Sequence, residues 1–280
     1  MQGKLCVITG ASSGVGLATA EALARKGARL ALIARDPARG AAAMQRLQTM
    51  APGVEIAVHY ADLARLAEVR RVADELLQAY HPRIDVLINN AGAMFRRREV
   101  SADGLERTFA LNHMAYFLLT EKLRARLAAS KPARIVSVAS RAHEGVTLDL
   151  DDLNMERRYD GWLAYRRSKL ANILWTRELA RRLAGSGVTA NALHPGFVAT
   201  RFGDNNRGWF GLTLGIAKRV VAIRPEEGAE TVVHLASAPG LDSVSGGYFV
   251  KSAPAMPSAA AQDDTAARRL WQASEKFAQL

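Results

Sequence analysis

Tyr165 and Lys169 stand four positions apart in the run Tyr165-Arg166-Arg167-Ser168-Lys169, within residues 162–183, where apolar side chains recur at helical spacing. Four positions make about one helical turn, so the phenol and the ammonium share a face. A free phenol has a pKa of about 10 and exchanges protons poorly at neutral pH. A neighbouring ammonium favours the phenolate, and making Tyr165 a thousandfold more acidic asks ~4 kcal/mol of its surroundings. The pair is a candidate acid/base. The same spacing also suits a surface tyrosine beside a solvated lysine, so the rest of the chain must supply a cleft.

The chain supplies one from its first residues. The apolar run 4–9 ends in Thr9-Gly10-Ala11-Ser12-Ser13-Gly14-Val15-Gly16, and a helical pattern follows through Arg25. Strand, glycine-rich turn and helix together place a phosphate at a helix N-terminus, where backbone N–H groups and the dipole favour an anion. Gly10 and Gly14 permit tight turning, and Gly16 permits close helix-to-sheet packing. A second apolar run, 29–34, ends at Arg35-Asp36, about twenty residues past the glycines, where a dinucleotide-binding sheet meets the adenosine ribose. Arginine there accommodates the 2′-phosphate of NADP and an acid binds the 2′-hydroxyl of NAD. Arg35 comes first after the strand and Ser12 and Ser13 assist a phosphate, which favours NADP, with NAD as the alternative. Asp36 is then the cap of a helix starting near Pro37.

The alternation continues. Residues 54–59 read as a strand ending at Ala61-Asp62-Leu63, where Asp62 either meets the adenine or caps a helix; residues 69–80 are helical. The strand 84–88 runs into Asn89-Asn90-Ala91-Gly92. Residues 105–127 are helical, with Asn112 an awkward helix former in the middle. The strand 134–138 ends at Ala139-Ser140, and the strand 188–193 leads to His194-Pro195-Gly196. Residues 225–236 read as a helix, 247–250 as a last short strand, and the Ala-, Pro- and Ser-rich tail after Lys251 as a linker into a helix at 263–277. Strands alternating with helices imply parallel pairing with right-handed crossovers: an α/β doubly wound parallel sheet of about seven strands with helices on both faces. Residues 1–250 form the expected single domain and 251–280 the linker and terminal helix. Ligands bind beyond the carboxyl ends of such strands, and the glycine loop, Arg35, Asp62, Asn89–Gly92, Ser140 and Pro195-Gly196 all fall on that edge.

Composition narrows the class. The chain has 280 residues, 49% hydrophobic and 23% charged, ordinary for a globular protein. Cys6 is the single cysteine, so no internal disulfide forms, which fits a reducing compartment. Met1-Gln2-Gly3-Lys4 enters a strand at once, leaving no room for a signal peptide, and no apolar run reaches the ~18 residues of a membrane span; a cytoplasmic location is expected. A net charge of +11 invites a nucleic-acid reading. The arginines are scattered along helices, however, and Arg96-Arg97-Arg98 has no interleaved aromatics, so no specific nucleic-acid binding is expected. A positive field also attracts a phosphorylated cofactor. No metal site is expected.

The set Thr9-Gly10-x3-Gly14-x-Gly16, Asn89-Asn90-Ala91-Gly92, Asn112, Ser140, Tyr165-x3-Lys169 and Pro195-Gly196 resembles the short-chain dehydrogenase/reductase family, across residues 3–250. Asp103-Gly104-Leu105-Glu106, Asn112-His113, Phe117-Leu118-Leu119-Thr120 and Ser168-Lys169-Leu170-Ala171-Asn172 resemble its retinol dehydrogenase-like branch, which also holds WW-domain oxidoreductases and carbonyl reductase-like enzymes. The resemblance implies a Rossmann fold. It implies Tyr165 as general acid/base, Ser140 holding the substrate oxygen, Lys169 lowering the Tyr165 pKa and binding the nicotinamide ribose, and Asn112 ordering a water that links Lys169 to solvent. It implies cofactor contacts from Gly10, Ser12, Ser13, Gly14, Val15, Gly16, Arg35, Asp62, Leu63, Asn89, Ala91, Gly92, Tyr165, Lys169, Pro195, Gly196, Val198 and Thr200. Ser137, inside its strand, is a weaker candidate than Ser140; Asn112 has a second reading as a buried, satisfied amide. His194 is expected to be structural, and His113 and His143 receive no role.

The 25 positions from Ser140 to Tyr165 exceed the family's usual spacing. The loop 141–160 either covers the site or obstructs the family's common helix-to-helix homodimer. The family places a substrate lid at about 197–224, which here holds the apolar, glycine-punctuated 209–216. With Phe95 and Trp162, that stretch favours an apolar carbonyl or alcohol. Its other readings are an amphipathic helix packed on the core and peripheral membrane docking beside Lys218-Arg219. The leading expectation is an NADP-dependent oxidoreductase interconverting an apolar alcohol and its aldehyde or ketone. The competing classes are a non-catalytic dinucleotide-binding regulator and a lyase or epimerase on a related fold.

Overall fold

The computed structural model describes residues 1–197 and 223–280. Leu5–Thr9 (β1) is buried along its whole length and pairs in parallel with Arg29–Ala34 (β2) on one side and Val86–Asn89 (β4) on the other, Ile8 standing opposite both Leu32 and Ile88. Ile56–Tyr60 (β3) extends the sheet beyond β2. Ala133–Val138 (β5), Val188–His194 (β6) and Tyr248–Val250 (β7) extend it beyond β4. The strand order is β3-β2-β1-β4-β5-β6-β7-β8, with Ala253–Pro254 (β8) closing one edge antiparallel to β7. Central strands buried on both faces are continuous apolar runs, as parallel sheets require.

Helices cover both faces. Gly14–Arg25 (α1), Pro37–Met50 (α2) and Pro225–Ser237 (α6) pack one core through Leu23, Leu47, Val232 and Leu235. Leu66–Ala79 (α3), Ala115–Ala129 (α4) and Gly161–Arg182 (α5) pack the other, through Val69, Leu76, Phe117 and Leu174. The order reverses between β1 and β4, whose following segments leave in opposite directions and open a crevice at the carboxyl edge.

Local signals explain most boundaries. Asp36 caps α2, its Oδ1 accepting from Arg39 N–H at 3.0 Å, with Pro37 at the first helical position. Asp160 caps α5 by accepting from Leu163 N–H at 2.7 Å. The helix expected from residue 69 begins earlier, at Leu66, because Asp103 reaches in to accept the Leu66 N–H at 2.9 Å; a cap 37 positions away leaves no local trace. The helix expected over 105–127 arrives in pieces: Arg107–Phe109, a π-helical turn Ala110–Met114 holding Asn112, then α4.

The tail read as a linker adds the eighth strand. Lys251 and Ser252, with φ of 51° and 61°, turn β7 back onto β8. The chain then enters Asp264–Ala278 (α7), capped by Asp263, and α7 buries Leu270 and Trp271 in the same core as α3, α4 and α5. The expected lid, including 209–216, lies outside the described residues apart from its margins. There Ile223 N–H donates to Phe197 O at 2.8 Å. Among the described residues no helix is long and apolar enough to cross a membrane.

Candidate active site

The glycine loop is built from two left-handed residues and one close approach. Gly10 and Gly14 take φ of 67° and 56°. A Cβ on Gly16 would lie 2.4 Å from the Gly10 carbonyl oxygen and 2.5 Å from Asn90 Nδ2, so the start of α1 rests on the loop as only glycine allows. Asn90, next to the expected contacts Asn89, Ala91 and Gly92, fastens the loop: its Nδ2 donates to Thr9 O at 2.8 Å, and its own N–H donates to Thr9 Oγ1 at 2.8 Å. Ala91 N–H donates to the same hydroxyl at 2.9 Å. Thr9 and Asn90 were visible in the motif, but their joint role as a clasp between β1 and β4 needed the sheet order.

Ser13 stands at the N-cap of α1 in extended conformation, makes no side-chain cap and has no acid in the following turn. Half-buried Ser12, Ser13 and Gly14 thus surround a helix N-terminus, while Val15 is buried behind it. At the end of β2, Arg35 is exposed, and Asp36 is occupied by its capping bond. Asp62 does not cap α3; its Oδ1 accepts from Ala64 N–H at 3.2 Å, and Leu63 beside it is buried. Asn89 is fully buried, donating to Thr120 Oγ1 at 3.1 Å, while its Oδ1 has no partner among the described residues. Pro195 and Gly196 are half-buried after β6, Gly196 in left-handed conformation at φ 89°, and Val198 and Thr200 lie outside the described residues. Glycines that admit no Cβ, an uncapped helix N-terminus and an orphaned buried carboxamide oxygen fit a dinucleotide lying across the crevice.

Ser140, Tyr165 and Lys169 converge where β5 meets α5. Ser140 is half-buried at the strand end and joined by a side-chain hydrogen bond to Tyr165; Ser137 is fully buried inside β5. Burial pushes the Tyr165 phenol up to about 12, and the Ser140 bond pulls it back. Burial pushes Lys169 down to about 7. Its Nζ donates to Val138 O at 2.9 Å and lies 5.7 Å from the centroid of the Tyr165 ring. The ammonium is therefore near the phenol, and burial is the largest influence on both groups.

Asn112 sits in the π-helical turn, a device common at functional sites. Its carboxamide accepts from Ala93 N–H and donates to Ala93 O, both at 2.9 Å, and donates to Ser168 Oγ at 2.9 Å. Ser168 Oγ in turn donates to the Tyr165 carbonyl at 2.7 Å. Asn112 thus straps the loop after β4 to the turn of α5 that carries Tyr165. A Cβ on Gly92 would lie 3.3 Å from Asn112 Oδ1 and 3.5 Å from Lys169 Nζ, which places all three together.

His194 accepts from Arg141 N–H at 3.3 Å, and burial pushes it down to about 4, which favours the neutral ring. The two histidines given no role are both fully buried beside site residues and hydrogen-bonded to the tail, His113 to Ser274 and His143 to the backbone of Ser258. Trp162 is half-exposed and stacks on the Tyr165 ring at 5.6 Å, whereas Phe95 is buried with Arg107 over its ring at 4.6 Å. The loop 141–160 is fastened down by Asn154, which accepts from Glu106 N–H through Oδ1 and from Arg98 Nε through its carbonyl. No cluster of residues among those described could hold a metal ion.

Comparison with known proteins agrees with this geometry. Residues 4–209 match the family described as short chain dehydrogenase. Human retinol dehydrogenase 14 is 43% identical over 98% of this chain and 86% of its own, and human retinol dehydrogenase 13 is 40% identical over 99% and 85%. Among solved structures, an uncharacterised protein from Mycobacterium Paratuberculosis superposes with a TM-score of 0.79 at 35% identity, covering 99% of this chain and 94% of that one. An NAD(P) dependent gluconate 5-dehydrogenase from Beutenbergia cavernae, solved with bound NADP, gives 0.72 at 30% identity over 90% and 96%. The chain belongs to the short chain dehydrogenase family, in its retinol dehydrogenase-like branch, and is an oxidoreductase acting on CH–OH groups.

Proposed function

We propose that the chain is an NADP-dependent oxidoreductase that interconverts an apolar alcohol and its aldehyde or ketone, with Tyr165 as the acid/base. The observation that carries this reading is the hydrogen-bonded Ser140–Tyr165 pair with buried Lys169 on the same helical face, at the carboxyl edge of the sheet. NADP, when bound, supplies or accepts the hydride. The chain's part is to hold and protonate. Ser140 steadies the substrate oxygen, and Tyr165 gives or takes the proton there. Lys169 holds the ribose hydroxyls and, in its charged form, favours the phenolate that the Ser140 bond already favours. Asn112 fixes the turn that carries Tyr165 through Ser168, and orders the water that relays the proton from Lys169.

Support for NADP comes from exposed Arg35 at the end of β2, while Asp36 is committed to its helix cap. The neighbour from Beutenbergia cavernae holds the same cofactor. Support for an apolar substrate comes from half-exposed Trp162 against the Tyr165 ring and exposed Phe197 after Gly196, together with the retinol dehydrogenase relatives. Residues 209–216 are assigned to the lid on the sequence reading. Nothing in the site calls for a membrane span, and the proposed location is the cytoplasm. Residues 1–250 are read as the catalytic unit, with 251–280 folded back on it, and a homodimer through the family's helices is the assembly compatible with this reading.

The test is cofactor consumption by purified protein across retinoid, aromatic and long-chain aldehydes and ketones, with NADPH and NADH side by side. Turnover of the apolar carbonyls with NADPH is the expected result; turnover confined to polar sugars, or none at all, contradicts the reading. In the same assay Arg35→Ala weakens NADPH by about tenfold or more and leaves NADH within about twofold, since one charge-assisted phosphate contact is worth ~1.5–3 kcal/mol. The reverse pattern would assign the ribose to Asp36.

A further inference from the structure

The tail beyond β7 meets the catalytic centre at two points, each through a buried histidine next to a site residue. His143 closes the turn begun by Ser140. Its Nδ1 lies 2.6 Å from the Ser140 carbonyl oxygen, and its Nε2 lies 3.1 Å from the backbone N–H of Ser258. A carbonyl only accepts and a backbone N–H only donates, so the imidazole is neutral with its proton on Nδ1. Both ring nitrogens are spoken for, and the ring packs edge-on against Tyr248 at 5.3 Å. His113, next to Asn112 in the π-helical turn, places Nε2 2.9 Å from Ser274 Oγ. That hydroxyl donates to Leu270 O at 2.8 Å, so it receives the His113 proton. Phe277 adds an edge contact to Phe109, one turn before Asn112.

We infer that residues 251–280 are a brace for the active site, in which Ser258 through His143 sets the Ser140 hydroxyl and Ser274 through His113 sets the turn holding Asn112. Both histidines are positioning residues that never touch substrate. The inference rests on the reading of Ser140 and Tyr165 as the proton-transfer pair. The brace acts on geometry at Ser140 rather than on cofactor binding, because among the described residues the tail's hydrogen bonds reach His143, His113 and α5 and not the glycine loop.

The test separates the bond from the bulk. Ser258 has φ −58°, which proline adopts without strain, so Ser258→Pro deletes the donated N–H while preserving the chain path. Ser258→Ala keeps the N–H and removes a hydroxyl that has no partner among the described residues. His143→Phe removes both ring bonds, and His143→Asn restores a donor where Nδ1 stands. The expected result is a fall in kcat of about tenfold or more in Ser258→Pro and His143→Phe, since small displacements of reacting groups cost that much. NADPH affinity, read by fluorescence titration, stays within about twofold in both variants, as uniform binding is untouched. Ser258→Ala and His143→Asn recover most of the lost turnover. If Ser258→Pro loses its fold by circular dichroism, the His143 pair decides. Full turnover in His143→Phe, or His143→Asn as impaired as His143→Phe, overturns the brace while an inactive Tyr165→Phe leaves the oxidoreductase reading in place. An active Tyr165→Phe overturns both.

Discussion

One cause moves Tyr165 and Lys169 in opposite directions: loss of water disfavours the charged form of each, raising the phenol to about 12 and lowering the ammonium to about 7. For Lys169 this has a sign that can be measured. The folded-state value lies below the ordinary 10.5, so between about 7 and 10.5 the unfolded chain binds more protons. Its contribution to stability therefore improves as pH rises through that window and is least favourable below 7. Lys169→Met removes the buried amine, and its stability relative to the parent protein is expected to be about 2–3 kcal/mol better at pH 6 than at pH 9. Urea denaturation at the two values reads this directly, and a pH-independent difference would show Lys169 to be solvated. The spacing of Tyr165 and Lys169 was legible in the sequence because a helix fixes it. Their acidities were not, because they depend on how deeply α5 sits against β5 and, for Tyr165, on Ser140, 25 positions away.

At the scale of elements, the strands and most helix starts followed from apolar runs and from local caps such as Asp36. What escaped were features set by distant partners. Leu66 begins α3 only because Asp103 accepts its N–H, and β8 exists only because Lys251 and Ser252 adopt left-handed conformations. Asn112 was flagged as a misfit in a helix, and the π-helical turn is how the chain accommodates it: the widened turn frees its carboxamide to bind Ala93 and Ser168. The glycine loop follows the same logic. Gly16→Ala sets a methyl against the Gly10 carbonyl and the Asn90 amide, backbone and a committed side chain that have no room to retreat. It is expected to destabilise by ~1–3 kcal/mol, the usual range for overpacking, and to weaken cofactor binding as the start of α1 shifts. Thermal melts and an NADPH titration check it; unaltered affinity would show that the close approach serves packing alone.

Across the whole molecule, the two faces of the sheet divide the work. The α1, α2 and α6 face carries the glycine loop proposed to receive the cofactor, and the α3, α4, α5 and α7 face carries Tyr165 and Lys169, the proposed proton-transfer residues, together with the tail. That the tail joins this second core was not legible, because the hydroxyl that meets His113 is Ser274, 161 positions away. Ser274→Ala strands the buried His113 N–H, and a loss of ~1–3 kcal/mol in urea denaturation is expected; no loss would mean that the ring finds another acceptor. The central claim remains that the phenol of Tyr165 moves the proton. It is tested most directly by comparing Tyr165→Phe with the parent protein for NADPH affinity and for turnover of an apolar aldehyde. Phenylalanine keeps the ring that stacks on Trp162 and removes only the hydroxyl. Unchanged affinity with turnover reduced by about 100-fold or more is the predicted result, and turnover equal to the parent's would contradict it.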